Sequence, residues 1–158
     1  MCVRTRISPG STHTLDTGKV SGRQMELVAV FERPEQPARF GIRVLQSPAA
    51  HVEVAVEFAT AAAQSFRVFL NGTALGAPEV FVSDPVRMLD GEAEVSLDIF
   101  VDRSLVEVFA QGGRAAVTAA VAPEGSAAGV ELFSAEQSTG LSLRSITAYA
   151  MGCMWAAA

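Results

Sequence analysis

The sequence predicts an all-β fold, a two-sheet antiparallel β-sandwich. Apolar residues recur with period two along most of the chain, the spacing of half-buried strands. Turn-forming residues interrupt these runs every 8 to 12 positions or so, as in sandwiches and barrels. The alanine-rich stretches at residues 59–64 and 126–128 are shorter than a stable helix requires, so both read as loops or single turns despite alanine's helical propensity. With 158 residues, 49% of them hydrophobic and 18% charged, the chain is long enough for one domain with a core. A chain of this size buries roughly 70% of its unfolded surface on folding.

The first 18 residues, with Ser8-Pro9-Gly10-Ser11-Thr12 and Asp16-Thr17-Gly18, are polar and turn-rich, and read as a loose leader. The organised module is expected over residues 19–155, with 156–158 as a tail. Met25, Leu27, Ala29 and Phe31 define the inward face of a first strand, and Phe40, Ile42 and Val44 that of a second. Val52, Val54, Val56 and Phe58 make a third, and Phe66, Val68 and Leu70 a fourth that ends at Asn71-Gly72, a tight-turn signal. Further strands are expected at residues 80–82, 95–101, 106–108, 117–121, 130–132 and 141–148.

Charge and composition exclude several classes of function. Seventeen acidic residues against 12 basic give a net charge of −5, and no basic run is present to neutralise phosphates, so a nucleic-acid partner is not expected. No apolar run approaches the roughly 18 residues of a membrane-spanning helix, and the residues after Met1 do not have the pattern of a signal peptide. Cys2 and Cys153 are too few for a disulfide framework, and their pairing is open. His13 and His51 are not spaced as metal ligands, so neither a metal nor another cofactor is expected. Catalysis by paired carboxylates needs two of them about 5 Å apart in a retaining glycosidase. The strand pairs Asp98/Asp102 and Glu92/Glu94 stand at roughly 13 and 7 Å between Cα atoms, by strand rise. A triad built on His51 has no nucleophile elbow to join.

The most distinctive segment is residues 98–114, DIFVDRSLVEVFAQGGR. Physically it is two strands joined at Asp102-Arg103-Ser104, followed by a turn at Gly112-Gly113 where positive φ is free of strain, and together with the strand after it a three-stranded meander. This segment resembles the C-terminal β-sandwich module of glycoside hydrolase family 32, the invertases, inulinases and levanases. Thr118 and Pro123 follow at matching offsets. Residues 21–27 and 40–44 are similar to the module's first strands, and residues 129–134 and 145–151 to its last. The resemblance implies a jelly-roll or concanavalin-like sandwich over residues 19–155.

It also implies what the chain is not. In that family a five-bladed propeller carries three carboxylates in Asn-Asp-Pro-Asn, Arg-Asp-Pro and Glu-Cys-Pro words. None of these occurs in the sequence; Ser83-Asp84-Pro85 comes nearest and lacks the arginine. No catalytic residue is therefore assigned, and the chain reads as a non-catalytic accessory module, or as a fragment of a β-fructosidase that acts only with its propeller. Relatives among the family 66 carbohydrate-binding modules imply a fructan or other fructose-terminated sugar as ligand. Carboxylates and arginines suited to vicinal hydroxyls are Glu26, Arg43, Asp102, Arg103 and Glu107. Each has a plainer reading: Asp102 and Arg103 shape a turn, and Glu26, Arg43 and Glu107 face outward or pair with a neighbouring strand. Trp155 and Tyr149 offer little for sugar stacking, and the nine Phe residues mostly hold strand positions suited to a core. A structural role is the other expectation: docking on a propeller, or self-association through the face a propeller would cover, in keeping with a mean hydropathy of +0.30. Asn71-Gly72-Thr73 is a glycosylation acceptor pattern compatible with a secreted parent.

Overall fold

Every expected strand run forms in the computed structural model, which describes residues 5–16, 18, 20, 22–60, 64–72, 79–138 and 140–152. In chain order the strands are β1 (Thr5–Ile7), β2 (Thr12–Thr14), β3 (Gln24–Glu32), β4 (Ala38–Gln46), β5 (Val52–Phe58), β6 (Ser65–Gly72), β7 (Glu79–Val82), β8 (Val86–Arg87), β9 (Glu94–Asp102), β10 (Leu105–Ala110), β11 (Ala115–Ala120), β12 (Gly129–Ser134) and β13 (Leu141–Ala150). Six of them form one antiparallel sheet in the order β1-β13-β3-β9-β10-β11; the other has the order β2-β12-β4-β5-β6-β7, with β8 pairing to β6 beside that path. The described residues contain no helix.

Period two decides which side chains enter the core. Met25, Leu27, Ala29 and Phe31 of β3 and Val95, Leu97, Ile99 and Val101 of β9 are fully buried; they lie between the sheets with Phe40, Ile42 and Val44 of β4 and Val54 and Val56 of β5. Phe31 and Phe40 bring the sheets together, their ring centroids 5.2 Å apart. In β13 the apolar phase slips between Leu143 and Ile146, and a bulge between Leu143 and Ser145 absorbs the extra residue. The predicted meander forms as β9-β10-β11.

Two expectations fail. Asn71-Gly72 is not a turn: Asn71 pairs with Glu53 on one side and Val80 on the other, and Gly72 with Val52 and Glu79. The start of β5 needs partners at these positions, so β6 runs on through the dipeptide. Residues 73–78, Thr73 of the glycosylation triplet among them, lie outside the described set. The leader is not loose over its whole length either, since β1 pairs with β13 and β2 with β12. Polar, short strands of this kind carry no periodicity to read, and the sheets supply the partners. Residues 1–4 and 153–158, with both cysteines, Trp155 and the expected tail, lie outside the described residues, as do 61–63 of the alanine-rich stretch.

Candidate functional site

Two outer faces hold the polar side chains that the core rejects. The residues selected from the sequence divide between them: Glu26, Asp102, Arg103 and Glu107 belong to the six-stranded sheet, and Arg43 to the other.

On the six-stranded sheet, Glu26 of β3 and Glu107 of β10 both sit opposite Phe100 of β9, one on either side. Two strand spacings put them about 10 Å apart. Glu107 accepts a long hydrogen bond from the Thr118 hydroxyl at 3.4 Å. Asp102 accepts one from the Gln24 amide at 3.2 Å. Arg103 takes φ +54° in the β9–β10 turn, and its N–H donates to the Arg23 carbonyl at 2.7 Å. Around these carboxylates the face is apolar: Val28, Val30, Phe100 and Phe109 are half-buried, and Phe100 and Phe109 meet edge to face at 5.9 Å. Leu105 and Tyr149 are exposed beside them.

The rest of the distinctive segment builds structure. Gln111 is held at φ +50°. Its side-chain carbonyl accepts from the Ser96 N–H at 2.7 Å, and its NH2 donates to the Glu94 carbonyl at 3.1 Å. Arg114 binds both oxygens of Glu92, at 2.6 and 2.7 Å, and the Arg87 carbonyl at 2.9 Å. The Arg114 guanidinium and then the Leu89 N–H hold the Glu92 carboxyl below its ordinary value, the wrong direction for a general acid. Glu94 and Glu32, directly opposed on β9 and β3, are both ion-paired to Arg144, at 2.6 and 3.3 Å.

The seven-stranded sheet carries a continuous polar ladder that sequence reasoning touched only at Arg43. Arg43 on β4 lies opposite Glu53 of β5 and Glu131 of β12. It donates to Glu53 at 3.3 and 3.4 Å and to Glu131 at 3.2 Å. Arg39, two strand repeats away, reaches Glu53 at 3.0 Å and Glu57 at 3.1 Å. Each guanidinium also covers a ring, Arg39 over Phe69 and Arg43 over Phe133, both 4.9 Å from the centroid. Glu131 is only 8% exposed, tolerable because its charge is paired. His51 stands 4.0 Å from Glu53, yet burial, seconded by Arg43, holds its pKa below the ordinary 6.5. Its charged neighbours are Arg43, Glu53 and Glu131, and no triad forms there.

Beside the ladder opens a cleft of about 260 Å³, lined by Gly10, Ser11 and Thr12 on one side, Arg39, Arg43 and Glu53 on the other, and residues 133–136 between them. Ser134, in the inward phase of β12 with Val130 and Leu132, has a buried hydroxyl without a hydrogen-bond partner. The spacing Arg39/Arg43 and Glu53/Glu57 on two adjacent strands of one hairpin is the signal that could have found this ladder from sequence, because antiparallel pairing sets opposite charges across from each other. The side formed by residues 10–12 could not be found that way, being made by the supposed leader. Among the described residues no group of three His, Cys, Asp or Glu side chains is placed to hold a metal ion.

Comparison with known proteins agrees with this architecture. A levanase from Bacillus subtilis (strain 168) is 30% identical over 158 residues, an alignment covering 94% of this chain and 22% of the levanase. Fructan 1-exohydrolase IIa from Cichorium intybus superposes with a TM-score of 0.75 at 13% identity, over 96% of this chain and 35% of that one. Exo-inulinase from Aspergillus awamori does so with a TM-score of 0.70 at 22% identity, over 98% and 29%. The chain thus spans between a fifth and just over a third of the relatives it matches. The family model for the C-terminal domain of family 32 glycosyl hydrolases matches residues 3–150, and the chain belongs to that family.

Proposed function

We propose that this chain is a non-catalytic accessory module of a fructan-acting glycoside hydrolase, and that it works by docking against a catalytic propeller. The observation that carries this reading is coverage: nearly the whole chain corresponds to a C-terminal part of enzymes three to five times its length. The three carboxylate words expected of the propeller do not occur in these 158 residues. The outer face of the six-stranded sheet supports the docking, because Val28, Val30, Phe100, Phe109 and Tyr149 make an apolar strip of the kind that marks interfaces. Glu26, Asp98 and Glu107 punctuate it and would meet donors on the partner.

The test is association of the 158-residue chain with a separately produced catalytic propeller from the Bacillus subtilis levanase, followed by sedimentation velocity. The expected outcome is a one-to-one complex that Phe100→Asp abolishes, and no hydrolysis of sucrose, inulin or levan by the chain alone. Hydrolysis by the chain alone, or association indifferent to Phe100→Asp, would count against the reading. Self-association is a second role with its own observation. β7 forms an edge of the seven-stranded sheet, and Val80, Phe81 and Val82 on it are 54%, 36% and 43% exposed. Such an edge is a template for pairing with a second copy.

A further inference from the structure

We propose that two copies of this chain join through β7 in antiparallel register about Phe81, Val80 of each against Val82 of the other, and that the pair carries both propeller-docking faces on one side. The proposal rests on the self-association role given above, and adds its register and its geometry.

The free backbone groups fix the register. The Ser83 N–H donates to the Val68 carbonyl at 2.9 Å, continuing the ladder that sets Val82 opposite Phe69 and Phe81 opposite Leu70. Hydrogen-bonded and non-hydrogen-bonded pairs alternate along an antiparallel ladder. Phe81 therefore turns its N–H and C=O towards β6, and Val80 and Val82 turn theirs away from it. The open edge thus offers two donors and two acceptors on residues two apart. Pairing about Phe81 uses all of them from both copies, in four hydrogen bonds. A slip to either side does not. Centred on Val80, it sets Val82 against Pro78, which has no N–H. Centred on Val82, it sets Val80 against Asp84, whose carbonyl already accepts from the Ser83 hydroxyl at 2.7 Å.

The side chains are self-complementary as well. Val-Phe-Val reads the same from either end, as a two-fold contact of one surface with itself requires. Phe81 shares the phase of buried Leu70, and Val80 and Val82 that of Asn71 and Phe69 on the outer face. About the two-fold the Phe81 side chains of two copies meet in a non-hydrogen-bonded pair, the closer kind. Glu79 falls opposite Ser83, so no like charges oppose. Val80, Phe81 and Val82 make up half of the large hydrophobic residues left exposed among the described residues, and the run itself lacks the charges that blunt a lone edge. By contrast the edges β1, β2 and β11 expose Arg, Thr, His and Ala side chains.

A two-fold that pairs antiparallel strands stands perpendicular to the sheet. The seven-stranded sheets of two copies would then run into one another, with both six-stranded sheets on the same side. Their outer faces point one way, so a pair would hold two propellers side by side.

The test is sedimentation velocity of the 158-residue chain, alone and with the levanase propeller, together with oxidative cross-linking in a Cys2→Ser, Cys153→Ser background. Val82→Pro removes one outward N–H and spares the ladder to β6. Asp90→Ala, on an exposed loop, is the control, and thermal melts confirm that each variant is folded. The expected result is a monomer–dimer equilibrium weakened at least about tenfold, some 1.4 kcal/mol, by Val82→Pro, and unchanged by Asp90→Ala or Phe100→Asp. With the propeller it becomes a complex of two chains and two propellers, a one-to-one ratio. Phe81→Cys should form disulfide dimers faster than Val80→Cys or Val82→Cys, because Cα atoms of a non-hydrogen-bonded pair stand about 4.5 Å apart, within disulfide reach. A chain that stays monomeric, or a dimer indifferent to Val82→Pro, would overturn the paired edge. Faster cross-linking at residue 80 or 82 would overturn the register. A pair that splits on binding the propeller would overturn the shared side. Absence of propeller binding would end the docking reading and leave the paired edge standing, so the two readings fail separately.

Discussion

Gly41 sits in the middle of β4, between Ala55 and Phe133 on the neighbouring strands, where a Cβ would stand 1.9 Å from the Val54 carbonyl oxygen. The obstacle is backbone, which cannot swing aside. Gly41→Ala should therefore cost about 1–3 kcal/mol as an overpacking defect, read as a lower urea midpoint at unchanged slope. His51 makes a prediction of another kind. Its folded pKa lies below the ordinary 6.5 because burial and Arg43 disfavour the imidazolium. The unfolded chain therefore binds the proton more readily, and stability falls as pH drops from about 6.5 towards the folded value. His51→Gln should flatten that part of the stability profile in chemical melts at a series of pH values, and leave it unchanged above neutrality. Residues of this type were only half legible in the sequence. Arg43 was legible as a strand residue able to pair with a neighbouring strand, whereas Glu53 and Glu131, to which it is bound, were not singled out, because only the pairing of the strands brings them to it.

Strands with a clear phase were legible as elements; those defined by their partners were not. β3, β4, β5 and β9 were read correctly because a buried face writes itself as alternating apolar residues. β1, β2 and β8 are two or three residues long, too short to show any period, and exist because a neighbouring strand offers hydrogen bonds. The Asn71-Gly72 signal failed for the same reason, since local turn preference lost to ladder pairing on both sides. Gln111 shows a motif whose meaning lies between elements: its side chain ties the β10–β11 turn to the start of β9. Gln111→Ala should leave the Ser96 N–H short of an acceptor and cost about 1–3 kcal/mol, measured by thermal or chemical unfolding. The exposed edge β7 gives the prediction for assembly. If it pairs two copies, Phe81→Lys should shift the sedimentation profile towards monomer with little change in melting temperature, because Phe81 is already at the surface.

Across the whole molecule the two sheets share one apolar layer, so a cavity anywhere in it weakens both. Leu97→Ala, at the centre of β9 and fully buried, should cost about 2–5 kcal/mol in equilibrium unfolding, with far-UV and aromatic signals lost together. The sandwich was legible from composition and period alone. The cleft beside the ladder was not, because it depends on bringing residues 10–12 against residues 133–136 from the far end of the sequence. That closure has a kinetic side. Thr5–Ile7 pair with Leu141–Leu143, and Thr12–Thr14 with residues 131–133, contacts separated by well over a hundred positions. Loop closure over such separations is slow. During synthesis the first strands must wait, unpaired, until the last two have left the ribosome, so the cleft's lip is among the last features to form.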